Sequence, residues 1–210
     1  MNLRIKKQDP HKMPIEQSKD EVVNIKKKRK ATRIYEGVTE EEFVKLLEKT
    51  PKLHHQTAFL LAYGSGLRIS EVVKLKSEDI DVKGNKIFIR QGKGSKDRIV
   101  NIPKQMKDKH IKVLPINIST RALEMVFLRN SIKAGINRVI ATYEAKGKQI
   151  PIYRLHYHSL RHGFATRALE KGVPVNMVQA LLGHSNLATT NRYTKANPTD
   201  AINSILEKGV

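Results

Sequence analysis

Residues 158–166 read His158-Ser-Leu-Arg-His-Gly-Phe-Ala-Thr. Positions i and i+3 of a helix share a face, so His158 and Arg161 stand side by side, a proton carrier next to a guanidinium that grips phosphate with paired donors. Taken alone, such a pair is also a common surface feature. A zinc site fits poorly, because His158 and His162 are four apart with no carboxylate between them. Downstream, residues 181–194 read LLGHSNLATTNRYT. Here a glycine is expected to end one helix with His184 in the turn, and Tyr193 comes nine residues later, near the expected end of a short helix. A phenol can attack phosphorus if nearby cations stabilise the phenoxide and the crowded phosphorane. Upstream, residues 64–71 read GSGLRISE. Two glycines before Arg68 at a helix entrance allow close approach to an anion, whereas an interhelical turn with Arg68 paired to Glu71 accounts for the same residues. Together the three segments hold two arginines, two histidines and a tyrosine, a set sufficient for phosphoryl transfer without a metal ion.

The composition points to a polyanionic partner. The chain has 210 residues, with 40 Lys+Arg against 20 Asp+Glu and a formal net charge of +20. A hydrophobic fraction of 39% supports a core of ordinary size, so whole-chain disorder is excluded. No stretch approaches the ~18 apolar residues of a membrane span, and the first residues lack the apolar run of a secretory signal, so a cytoplasmic protein with no membrane partner is expected. The absence of cysteine removes disulfides, thiolate zinc sites and cysteine nucleophiles. No cofactor and no metal is expected.

Residues 1–38 read as a basic arm or linker, with six cations between Lys26 and Arg33, few apolar residues and no period. Residues 39–210 read as the folded domain. Thr39-Glu-Glu-Glu forms a capping box ahead of Phe43, Leu46 and Leu47 and opens a helix. Helices are expected from about Leu53 to Tyr63 and from Ser70 to about Lys76. Residues 86–91 and 98–102 predict a hairpin around the glycine-rich, cationic turn 92–97, and Ile111 to Leu114 a third strand. A helix from Thr120 to Ala134 follows. Then comes a basic stretch from Asn137 to Arg154 without an interpretable motif, whose cations either track DNA or solubilise a loop. Further helices are expected near 159–171, 174–182, 186–193 and 199–207. The fold class is mostly α with a small antiparallel β-sheet. Phe164, Leu169, Val178, Leu181 and Leu182 are spaced as core residues. His54 and His55 read as surface or cap residues, and His11, His110 and His156 have no patterned partner.

GLRISE, HSLRHGFAT and LLGHSNLATTNRYT resemble the sequence boxes of the tyrosine recombinase (phage integrase) family, in the family's order and approximate separations, with a Xer-like spelling. The resemblance covers residues 39–207. It implies the tyrosine recombinase catalytic-domain fold and a site-specific recombinase or integrase that cuts and rejoins DNA through a 3′-phosphotyrosyl intermediate. It further implies that Arg68 is the first catalytic arginine, Glu71 its acidic support, Arg161 the second arginine, His158 the histidine that manages the nucleophile's proton, His184 the second His or Trp position, and Tyr193 the nucleophile. Lys93 resembles the lysine that serves as general acid toward the leaving 5′ oxygen, with Lys96 as its rival in the same turn. Double-stranded DNA and a homo-oligomer formed on it are the implied partners. Lys26, Lys27, Lys28, Arg29 and Lys30 in the arm, and Lys96 and Arg98 at the hairpin, are expected to contact DNA. Family members carry an N-terminal helical clamp domain that residues 1–38 are too short to form, which fits either a piece of a longer chain or a minimal enzyme. A type IB topoisomerase-like enzyme and a non-catalytic regulator derived from an integrase are the alternatives; a pure binder would need neither Tyr193 nor His158.

Overall fold

A computed structural model describes residues 23–24, 36–90, 97–183 and 198–210. The elements in chain order are β1 (Val23–Asn24), α1 (Glu40–Glu48), α2 (Leu53–Ser65), α3 (Ile69–Lys74), β2 (Ile80–Asp81), β3 (Lys86–Ile89) and β4 (Arg98–Asn101). They continue with α4 (Asp108–Ile111), α5 (Thr120–Lys133), β5 (Val139–Ala145), β6 (Lys148–Tyr153), α6 (His158–Glu170), α7 (Val175–Leu182) and α8 (Pro198–Glu207).

The capping box at the start of α1 is formed: the Glu42 amide donates to Thr39 Oγ1 at 3.2 Å and the Thr39 amide to Glu42 Oε2 at 3.1 Å. Each bond satisfies a polar group that the helix start would otherwise leave unpaired. Helix α2 opens on a polar first turn, His54-His55-Gln56-Thr57, and from Thr57 to Ser65 it is buried around its whole circumference. It packs against α6, and the rings of Phe59, Phe127 and Tyr157 meet edge to face, with centroids about 6 Å apart, to join α2, α5 and the start of α6.

β2, β3 and β4 form an antiparallel sheet, and the predicted hairpin closes with Ile89 opposite Arg98. The third strand of this sheet is β2 rather than Ile111–Leu114. That segment is the end of α4 and a turn, because His110 Nδ1 accepts the Lys107 amide at 2.9 Å and starts a helical turn there. Leu114 at its end is buried all the same, as is Ile116 in the loop that follows.

The stretch with no sequence motif is a second antiparallel pair, β5–β6, with β1 alongside β5 in parallel. The two residues between the strands, Lys146 and Gly147, have φ of 53° and 69°, the positive values that a tight hairpin turn requires. Pro151 is accommodated because β6 is an edge strand. Arg154, just beyond β6, is a structural residue: it pairs with Glu36 and Glu42 and donates to the Ile136 carbonyl at 2.8 Å.

Three further expectations are corrected. Leu169 is exposed on the outer face of α6, His55 is buried, and His156 has a partner, its Nδ1 lying 3.2 Å from Ser159 Oγ. The C-terminal helix α8 packs on α7 and β4 of its own chain and buries Ile202 and Ile205. Among the described residues no helix is long and apolar enough to cross a membrane.

Candidate active site

The site is built where α2 ends. Gly66 caps α2 in the left-handed conformation, φ 67°, and turns the chain toward Arg68. A Cβ at Gly66 would meet Phe164 at 2.7 Å and Leu182 at 2.8 Å, and one at Gly64 would meet Pro103 at 2.6 Å. The glycines expected to admit an anion therefore admit protein: they let α6, α7 and the residues after β4 close around the turn.

Arg68 and Glu71 realise the ion-pair reading. The Arg68 amide donates to Glu71 Oε2 at 2.7 Å and Arg68 Nη1 to Oε1 at 3.0 Å, while Nη2 reaches the Gly183 carbonyl at 2.8 Å. Its side chain keeps 34% of its surface open, so the phosphate reading remains available to the same residue.

Arg98 departs from its expected role as a DNA contact. It is 8% exposed and points inward. Nη1 and Nη2 form a bidentate pair with the two Glu71 oxygens at 2.8 and 2.7 Å, and Nε donates to the Leu181 carbonyl at 2.7 Å. The reason is strand phase: Arg98 shares the inward face of β4 with Val100. The sequence itself carries no such alternation, since Ile99 and Val100 are both apolar, so nothing in its pattern marks Arg98 as internal.

Arg161 is 3% exposed. It donates from Nη1 to the Gly66 carbonyl at 2.7 Å and from Nη2 to the Leu182 carbonyl. Burial first, and then the charges of Arg68 and Arg98, lower its pKa to about 9, so it stays charged near neutral pH. The Glu71 carboxyl would be pushed up by burial, but the hydrogen bonds and charge of Arg98, followed by those of Arg68, hold it below the usual carboxylate range. One carboxylate thus stands among three guanidinium groups, leaving a net positive centre.

His158 opens α6 with one edge in solvent. Partial desolvation, and then the positive surroundings of His162, Arg161, His156 and Arg68, lower its pKa to about 4, so its imidazole is neutral at pH 7 and able to accept a proton. His162 packs edge to face on it at 4.8 Å.

Residues 36–200 match the profile of the phage integrase family. The chain belongs to the phage integrase family. The tyrosine recombinase XerA of Thermococcus kodakarensis is 36% identical over 184 residues, covering 84% of this chain and 64% of that protein. A tyrosine recombinase of Pseudothermotoga lettingae is 36% identical over 198 residues, covering 91% of this chain and 68% of that one. A crystal structure of XerA recombinase superposes with a TM-score of 0.54 at 26% identity, covering 82% of this chain and 64% of that one. The integrase fold seen here is that of a tyrosine recombinase catalytic domain, and the chain spans less than two thirds of the length of the XerA relatives.

Of the residues that the boxes single out, this integrase domain brings Arg68, Glu71, Arg161 and His158 to one place. Lys93, Lys96, His184, Tyr193 and the arm residues Lys26, Lys27, Lys28, Arg29 and Lys30 lie outside the described residues, as does the helix expected at 186–193. Gly183, the residue before His184, is held by Arg68.

Proposed function

We propose that this chain is the catalytic part of a site-specific DNA recombinase or integrase that acts in the cytoplasm, cleaving and rejoining strands through a 3′-phosphotyrosyl bond. The observation that carries the reading is the grouping of Arg68 and Arg161 beside the carboxylate of Glu71, with neutral His158 next to the two arginines and Arg68 holding Gly183, the residue before the segment with His184 and Tyr193. Two arginines bind non-bridging phosphate oxygens with paired donors and neutralise the phosphorane, the role a metal ion has in many nucleases. Tyr193 attacks phosphorus and the bond to the 5′ oxygen breaks. The phenolic proton passes toward His158, and the leaving oxygen takes a proton from Lys93. Religation reverses each transfer, so no nucleotide cofactor enters the balance.

Double-stranded DNA is the partner, and copies of the chain assemble on it. Residues 1–38 act as a basic arm along the phosphate backbone, with Lys26, Lys27, Lys28, Arg29 and Lys30 as its contacts and Lys96 at the hairpin turn; residues 39–210 carry the chemistry. The test is incubation with nicked suicide duplexes copied from the DNA that adjoins the chain's gene. A covalent adduct that survives EDTA and disappears in Tyr193→Phe is the expected result. An adduct formed equally by Tyr193→Phe refutes the reading.

A further inference from the structure

We infer that Arg98 is a positioning residue of the phosphate site: it locks Glu71 against Arg68 and ties the end of α7, and with it the chain leading to His184, to the β3–β4 hairpin. The inference rests on the reading in which Arg68 and Arg161 receive phosphate.

The first support is the way Glu71 is filled. Oε1 accepts from Arg98 Nη1 and Arg68 Nη1, and Oε2 accepts from Arg98 Nη2 and the Arg68 amide, all between 2.7 and 3.0 Å. Each oxygen therefore takes one bond from each arginine. A carboxylate held by only Arg68 could swing with that half-open side chain; one gripped bidentately by a buried guanidinium cannot.

The second support is the end of α7. Carbonyls in the last turn of a helix lack partners within it and carry its negative end. Here three consecutive ones are taken by three arginines: Leu181 by Arg98, Leu182 by Arg161 and Gly183 by Arg68. Arg98 is the only one of the three that is both bound to the carboxylate and closed off from solvent. Gly183 itself, φ 61°, leaves room for it, since a Cβ there would stand 3.0 Å from Arg98 Cδ. Arg98 is also the first residue of β4, directly after the cationic turn. One side chain thus fixes the turn's exit, the acidic brace and the helix end that precedes His184.

A buried ion pair is a poor device for stability alone, since well-packed apolar residues do as well or better. Its use here is orientation. Remove Arg98, and Glu71 remains buried without its bidentate partner, which donates one bond to each carboxylate oxygen; its carboxyl then protonates more readily and loosens Arg68.

The test uses the full chain with Arg98→Met and Arg98→Lys. In DNA-free protein, carbon-13 NMR of the Glu71 carboxyl reads its titration, and hydrogen exchange reads the Gly183 amide. Arg98→Met moves the titration above the usual carboxylate range and speeds Gly183 exchange; Arg98→Lys, with one compact charge, restores the titration only in part. On the nicked duplex, single-turnover cleavage by Arg98→Met falls about 100-fold, the scale of a small misplacement of a reacting group. DNA affinity holds, and the lost rate recovers as pH rises and Glu71 ionises. A Glu71 titration unchanged in Arg98→Met, or a cleavage loss no larger than the loss of folded protein, overturns the inference. Should the wild-type chain cleave no DNA, the recombinase reading fails, and the NMR and exchange measurements decide Arg98 by themselves.

Discussion

The backbone of Gly37 crosses α6 at Gly163 so closely that a Cβ on Gly37 would lie 2.8 Å from the Gly163 amide nitrogen, and a Cβ on Gly163 would lie 2.4 Å from the Val38 carbonyl oxygen. The crossing is fixed by a hydrogen bond from the Val38 amide to the Ser159 carbonyl at 3.0 Å. Both obstacles are backbone, so neither can rotate away. Gly163→Ala is expected to destabilise the fold by about 2 kcal/mol, near the middle of the range for overpacking. In a domain of this size that corresponds to a fall in Tm of roughly 4–8 °C, read by a thermal scan. An unchanged Tm would show that the entering chain is not seated on α6.

His55 gives a pH prediction that is independent of the site. Burial, followed by the charges of His54, Lys52 and Arg129, lowers its pKa from 6.5 to about 4. Between those values the unfolded chain binds the proton and the folded chain does not, so stability falls as pH drops through this window and levels off below it. A shift of this size is worth up to about 3 kcal/mol. Urea midpoints for wild type and His55→Gln between pH 4 and pH 7 should converge at the acid end; parallel curves would contradict the assignment.

Arg161→Lys keeps a positive charge but cannot reach both the Gly66 and Leu182 carbonyls with a planar fork. Cleavage is expected to drop at least 100-fold. Buried carbonyls left short of a donor should lower stability by about 1–3 kcal/mol. Single-turnover adduct formation and urea unfolding measure the two effects separately. A lysine variant with wild-type cleavage would exclude bidentate recognition.

Tyr157→Phe is the control. Its buried hydroxyl donates to the Ala58 carbonyl at 2.8 Å and touches neither arginine, and burial pushes the phenol well above its ordinary pKa. Loss of this bond should lower stability by about 1 kcal/mol without altering the cleavage rate of the folded protein. A cleavage defect here would mean that the hydroxyl, through the start of α6, sets the position of His158.

Local signals carried much of the fold. Thr39 and Glu42 announce their capping box, and the glycine-rich segment 92–97 separates two runs of β-formers that pair as a hairpin, with Ile89 opposite Arg98. Where local signals mislead, tertiary packing is the reason. Residues 111–114 carry the β-formers of a strand, yet Ile111 ends α4 and Leu114 is buried from the turn after it. Lys146-Gly147 is a two-residue turn, but lysine is not among the residues that mark positive φ, so β5 and β6 went unread. In the site, Arg68, Glu71, His158 and Arg161 were legible from their spacing on short segments. Arg98 reads as a surface cation from its charge, and the adjacent apolar pair Ile99-Val100 gives no phase that would mark it as internal. No sequence rule shows that a strand residue, a helix-entry residue and a residue in the first turn of another helix will each claim one of three successive carbonyls.

The circumferential burial of α2 also bears on how this chain is made. A helix buried on every side from Thr57 onward gains little until its neighbours arrive, and its principal neighbour, α6, begins about ninety residues after α2 ends. At ribosomal speeds of ~5–20 residues per second, that separation leaves Ala58, Phe59, Leu60, Leu61 and Ala62 without their final shelter for some 5–20 s. Nascent α2 is accordingly the stretch a holding chaperone would grip, and slowing translation between the two helices should raise the fraction of chains lost to aggregation.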